Sequence, residues 1–203
     1  MSRSDPRPPP GAELYTIGHS NHSIEHFLAL LLRHDIEAVA DVRSRPYSRF
    51  VPHFGKERLA PLLEQEGLGY LFLGRELGGK PTKGETHRPA MTYQARVAQP
   101  EFHEGIDRLL RSAEESRIAL LCRERDPLDC HRFHLVCRYL RPLGLDLRHI
   151  LPGGEVELQP ATERRLLKRA GPPELPLFEG LAEPTSEQAL ARAYDGWRRS
   201  PGT

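Results

Sequence analysis

The chain has 203 residues, of which 38% are hydrophobic and 28% charged. That length suits one domain with extensions, large enough to bury a core without disulfides or a metal. Lys and Arg number 29 against 28 Asp and Glu, so the net charge of +1 names no partner. The longest apolar runs, such as Phe27 to Leu32, fall far short of the roughly 20 residues that span a membrane. Met1 to Gly11 has no apolar stretch of the secretory kind. Three cysteines are too few, and odd in number, for a disulfide framework. A cytoplasmic protein is expected.

Residues 1–12 are proline-rich and read as a disordered lead. Leu14 to Ile17 is a short β-rich run closed by Gly18. Ser23 can cap a helix carrying Ile24, Phe27, Leu28, Leu31 and Leu32 at helical spacing, with Asp35 at its exit. Glu37 to Val42 reads as the second strand, Phe54 to Glu66 as the second helix and Leu68 to Leu73 as the third strand. A polar, glycine-rich stretch follows from Gly74 to about Gln99. Glu101 to Ser116 is a third amphipathic helix, and Arg117 to Cys122 a continuous apolar strand. Cys130 to Leu140 reads as a helix and Leu145 to Leu151 as the last strand. Beyond Pro152 come a short basic helix (162–170), a linker (171–184) and a terminal helix (185–199). That terminal helix has a Thr185–Gln188 capping box and Leu190, Tyr194 and Trp197 on one face.

This alternation predicts an α/β fold: a three-layer, open, mostly parallel, Rossmann-like sheet with helices on both faces. The expected division is a lead (1–12), the α/β domain (13–154) and a C-terminal extension (155–203). In such sheets ligands bind beyond the carboxyl ends of the strands.

Every expected strand end there carries polar or ionisable groups. The first delivers His19 and Ser20 after Gly18. The second delivers Asp41, Arg43 and Ser48, with Asp41 and Arg43 on the same side of an extended chain. The fourth delivers Cys122 and Glu124, then Asp129 to Arg132. Asp129 is a good N-cap, and Cys130, His131 and Arg132 then fall in a first turn, where free N–H groups favour an anion or a thiolate. The candidate catalytic groups are therefore His19, Asp41, Glu124 and Cys130. The candidate anion-binding groups are Ser20, Arg43, Ser48, His131 and Arg132. Cys122 reads as packed. A zinc site from His19, Cys122, Cys130 and His131 is conceivable, but no close-paired ligand spacing supports it, and no metal is assigned. No GxxxxGK[ST], GxGxxG or GxSxG stands where it would signal triphosphate hydrolysis, dinucleotide redox chemistry or a serine hydrolase.

The segments Thr16-Ile17-Gly18-His19-Ser20, Asp41-Val42-Arg43 with Pro46 and Ser48, and Leu73-Gly74 with Leu77-Gly78-Gly79 occur in this order. Leu121-Cys122 through Glu124, Asp126-Pro127, Cys130-His131-Arg132 and His149-Ile150 with Gly153 follow. Together they resemble the bacterial and archaeal family known as domain of unknown function 488, over about residues 14–154. The resemblance implies a fold and the place of a site, without an activity. In the tail, Glu174-Leu175-Pro176-Leu177-Phe178 resembles the short motif that binds the bacterial sliding clamp, with Glu174 in place of the usual Gln. Leu175, Leu177 and Phe178 would be its contacts.

The expected function is an enzyme performing hydrolysis or group transfer on a phosphate-bearing nucleotide or nucleic acid, linked to DNA repair or replication. Two alternatives remain open. One is a non-catalytic nucleotide- or DNA-binding module recruited to the sliding clamp. The other is a redox or sulfur-handling protein using Cys122 and Cys130. The cofactor is unknown.

Overall fold

A computed structural model of the protein describes residues 12–79, 92–171 and 185–197. Six strands form one sheet: β1 (Glu13–Gly18), β2 (Ala38–Asp41), β3 (Gly69–Phe72), β4 (Ile118–Cys122), β5 (Asp146–Ile150) and β6 (Val156–Leu158). Their order across the sheet is β3-β2-β4-β1-β5-β6. All neighbours run parallel except β6, which lies antiparallel to β5. The helices are α1 (Ile24–Arg33), α2 (Lys56–Gln65), α3 (Tyr93–Val97), α4 (Pro100–Glu115), α5 (Arg138–Leu140), α6 (Gln159–Ala170) and α7 (Ser186–Asp195). The three-layer α/β architecture expected from the alternation is the one observed.

The period of two along β4 assigns its side chains to two cores. Ile118, Leu120 and Cys122 join Phe102, Ile106 and Leu109 of α4. Ala119 and Leu121 join Phe27 and Leu31 of α1 and Leu59 and Leu63 of α2. A strand covered on both faces needs apolar residues at every position, which is why this segment is an unbroken run. Burying it fully contributes about 1.5–3 kcal/mol per large side chain. With α1 and α2 on one face and α4 on the other, the chain reverses direction across the sheet beside β4 and β1, the position where open sheets bind ligands.

Several elements differ from the sequence expectation. The second helix does not start at Phe54. Pro52–Phe54 form a 3-10 turn, and Gly55 is extended before α2 begins. The stretch after Gly74 contains α3, capped by the Thr92 hydroxyl. The expected helix from Cys130 is also different. Pro127 starts a 3-10 turn over Pro127–Asp129, capped by Asp126 through the Leu128 amide. A π-helical segment, Arg132–Cys137, then runs into α5. Asp129 is therefore no N-cap. It is exposed and pairs with Arg169 at 2.7 Å, because Pro127, with its fixed φ, moves the helical start upstream.

The sheet continues past residue 154. Gly154 at φ 88° turns the chain so that β6 can pair with β5. The helix after it starts at Gln159, three residues before the expected one. α7 docks through Leu190, Ala193 and Tyr194 onto Leu128, Phe133 and Leu166. Its capping box, Thr185 with Gln188, is formed, and Trp197 stacks on His134 with ring centroids 4.5 Å apart. Leu175, Leu177 and Phe178 lie outside the described residues, as do residues 1–11. Among the described residues no helix is long and apolar enough to cross a membrane.

Candidate functional site

Gly18 ends β1 where the chain must pass very close to the loop after β4. A Cβ on Gly18 would lie 1.8 Å from the Glu124 carbonyl oxygen, an impossible approach. With no side chain there, the two loops stay joined: the His19 amide donates to the Cys122 carbonyl at 3.0 Å and the Ser20 amide to that of Arg123 at 2.8 Å. The loops after β1 and β4 thus form a single floor at the carboxyl edge of the sheet.

A cluster of sulfur, imidazole and carboxylate groups stands on this floor. Cys122 Sγ lies 3.2 Å from Glu124 Oε2 and 3.4 Å from His131 Nδ1. Cys130 Sγ is 3.9 Å from the same Nδ1. His131 Nε2 is 3.0 Å from the Val42 carbonyl oxygen. A carbonyl can only accept, so Nε2 carries a proton, and Nδ1 is the nitrogen that faces both sulfurs. The Cys130 sulfur also accepts the Arg132 amide at 3.4 Å. Both cysteines are 1% exposed, and Glu124 alone of the cluster is half-exposed.

The charges in this cluster are coupled. Burial opposes ionisation of Cys122, but hydrogen bonding with Cys130 and the fields of His131 and Arg132 outweigh it and hold the thiol below its ordinary range. Burial and the neighbouring Cys122 sulfur push Cys130 up. Burial, then the Cys122 charge, raises Glu124 as well. A raised carboxyl beside a lowered thiol is a pairing suited to proton transfer.

The other expected site residues take different places. Asp41, fully buried, accepts from Arg43 Nε at 2.8 Å, Arg43 Nη2 at 2.6 Å, the Arg43 amide at 3.0 Å and the Tyr70 hydroxyl at 2.7 Å. Arg43 Nη1 donates to the Phe54 carbonyl at 2.8 Å. The pair is thus a closed ion pair under the floor, with Asp41 surrounded by donors and Arg43 engaged on three nitrogens.

Arg132 is fully buried, and its Nη1 and Nη2 donate to the carbonyls of Glu124 and Arg125 at 2.8 and 3.3 Å. It holds the β4 loop in place from beneath. His19 stacks on Phe54 at 4.4 Å and its Nδ1 bonds the Ser20 carbonyl at 2.9 Å. Burial, then Arg43, lowers His19 to about 3, so it is neutral at pH 7. Ser20 sits at φ 47° with its hydroxyl on Asn21. The Ser48 hydroxyl accepts the Phe50 and Val51 amides, each at 3.3 Å, and shapes its own loop.

Exposed cations occupy the loops at this edge of the sheet. Arg45 and Arg49 follow β2, Arg75 follows β3, and Arg123 and Arg125 follow β4. All five are exposed and none is ion-paired among the described residues. Between them project Tyr47 and Phe50, 77% and 76% exposed, with the Arg49 guanidinium 4.8 Å above the Phe50 ring. From Val42 to Lys56 the chain has no acidic residue.

Sequence reasoning read Cys122 as packed and kept it only in its zinc and redox alternatives. It ends an apolar strand, and its side chain looked like core. The Cys-x-Glu spacing of Cys122 and Glu124 was the available signal, since alternate residues of an extended chain share a side.

No curated protein and no solved structure matches the chain. The family profile described as "Domain of unknown function DUF488" matches residues 23–140, from α1 to the end of α5. That span contains Cys122, Glu124, Cys130 and His131, and it covers more than half of the sequence. The chain therefore belongs to the DUF488 family.

Proposed function

We propose that the protein is an enzyme performing hydrolysis or group transfer on a phosphate-bearing nucleotide or nucleic-acid substrate, with Glu124 as its acid/base group. The observation that carries this reading is the 3.2 Å contact of Glu124 with Cys122, on a loop at the same sheet edge as five exposed arginines that have no ion-pair partner among the described residues. In this reading Arg45, Arg49, Arg123 and Arg125 attract the phosphates in place of Arg43 and Arg132, which are buried with their terminal Nη groups bonded to internal acceptors. Tyr47 and Phe50 offer faces on which bases can stack.

The test is turnover of nucleotide and oligonucleotide panels by the wild type and Glu124→Gln. Product formed by the wild type and lost in the variant supports the reading. Binding without product in both favours the non-catalytic module. A second reading, thiol-based redox or sulfur handling, draws on the Cys122–Cys130 contact. Rapid alkylation of Cys122 at neutral pH, with Cys130 slow, would support it.

For the tail, we propose that Leu175, Leu177 and Phe178 recruit the protein to a sliding clamp in DNA repair or replication. Retention of the clamp by the wild type but not by Leu177→Ala/Phe178→Ala is the expected result. Equal retention removes the proposal.

A further inference from the structure

We infer that Cys122, Cys130 and His131 are the three protein ligands of a zinc ion whose fourth position opens beside Glu124. The Sγ atoms of the two cysteines and a ring nitrogen of His131 lie within 4.8 Å of one another. For a tetrahedral ion with bonds of about 2.3 Å to sulfur and about 2.0 Å to nitrogen, sulfur and nitrogen sit about 3.6 Å apart. The two distances here, 3.4 and 3.9 Å, bracket that value.

The supporting contacts also suit a metal. A histidine that binds zinc through one nitrogen usually donates the other N–H to a carbonyl or carboxylate, which fixes ring and tautomer. His131 does this with Val42 at 3.0 Å. The Arg132 amide on Cys130 Sγ is a further orienting bond. Two thiolates, a neutral imidazole and a dication sum to zero charge, which a buried site requires.

Two sulfurs and one nitrogen in this arrangement select zinc over hard cations. Among the described residues no fourth donor joins the three. Structural zinc sites close with four protein ligands, whereas catalytic sites keep three and a water. Glu124 touches Cys122 and is the cluster's half-exposed member, so it stands between the open position and solvent.

The chemistry this allows is hydrolytic, and here the inference rests on the proposed function for its substrate. Glu124 takes a proton from the bound water. The resulting hydroxide adds to an electrophilic carbon or phosphorus, the bond to the leaving group breaks, and Glu124 returns the proton to that group. One water is consumed and nothing is oxidised or reduced.

The test uses the full-length chain, purified after zinc-supplemented expression, with metal measured by mass spectrometry. The expected result is one zinc per chain in the wild type and in Glu124→Gln, with affinity about tenfold or more weaker in Cys130→Ser and His131→Gln. Cobalt(II) added to chelator-stripped protein should give thiolate-to-cobalt charge-transfer absorption and tetrahedral d–d bands, both lost in Cys122→Ser. His131→Gln carries the comparison if a cysteine variant fails to fold.

A folded wild type that takes up neither metal overturns the site, as does undiminished zinc in folded ligand variants. Zinc bound by a protein inert on every panel overturns the enzymatic reading alone. Turnover by the metal-free protein overturns the catalytic role of the zinc and leaves the site to be decided by uptake.

Discussion

His131 donates its Nε2–H to the Val42 carbonyl at 3.0 Å, a bond between the residue after Cys130 and the residue after β2. That one contact decides which way the imidazole faces. It turns Nδ1 toward Cys122 and Cys130 and ties the β4 loop to the strand carrying the Asp41–Arg43 pair. The site is therefore built on the middle of the sheet, where strand positions are most firmly held.

Glu124→Gln keeps the size and half-exposure of the side chain but removes its proton chemistry. Turnover should fall about 10²–10⁴-fold, with the thermal midpoint nearly unchanged. Undiminished turnover in the variant would remove Glu124 from the mechanism.

Asp41→Asn leaves the Arg43 guanidinium buried without its counter-charge. Breaking one side of such a pair costs about 3–5 kcal/mol. Urea or guanidinium unfolding should show that loss as a lower midpoint. A loss below about 0.5 kcal/mol, typical of surface sites, would show that the pair is not the tie described above.

Gly18→Ala places a methyl group where the Glu124 carbonyl stands, an oxygen that also accepts from Arg132 Nη1 at 2.8 Å. The backbone of one loop must move. Destabilisation of about 1–3 kcal/mol or more is expected, together with loss of function, since Glu124 moves with its carbonyl. A variant of wild-type stability and activity would contradict the close approach.

His149 and His134 are buried and neutral. Burial, then the field of Arg132, lowers His149 to about 3, while burial, then Arg138, lowers His134 to about 4. The unfolded chain protonates both near 6.5, so it binds more protons than the native state between about pH 6.5 and the folded values. Stability should fall as pH drops through that window, by up to about 1.4 kcal/mol per pH unit for each histidine. Below about pH 3 this contribution levels off. His149→Gln should flatten the slope in chemical unfolding measured from pH 7 to pH 4; an unchanged slope would contradict the assignment.

Removing Arg45 and Arg49 together should weaken oligonucleotide binding and lower its salt dependence by up to about two phosphate contacts. Tyr47→Ala and Phe50→Ala should each cost about 1–3 kcal/mol if a base stacks there. All four side chains are exposed, so thermal stability should not change. Binding that ignores these substitutions would place the nucleic acid elsewhere or nowhere.

Much of the architecture is written in local pattern. Ser23 caps α1 with its hydroxyl on the His26 amide, as its place before the apolar repeat implied. The unbroken run from Ile118 to Cys122 proved to be a central strand buried on both faces. β6 escaped notice because three residues at a sheet edge carry no periodic signal. The start of the helix after β4 was misplaced because Pro127 outcompetes Asp129 as its initiator.

By itself, then, the sequence determined the first five strands and most of the helices, that the sheet is mostly parallel, and hence which edge gathers the polar loops. Those properties follow from periodicity and capping, which act between neighbours in the chain. Only the tertiary structure decided what the gathered groups do. It joined Asp41 to Arg43, set Arg132 beneath the floor, and brought Cys122, supposed to be core, against His131 and Glu124. Whether a charged side chain finds an internal partner or remains open to a ligand depends on groups far away in sequence, and no local pattern encodes that distance.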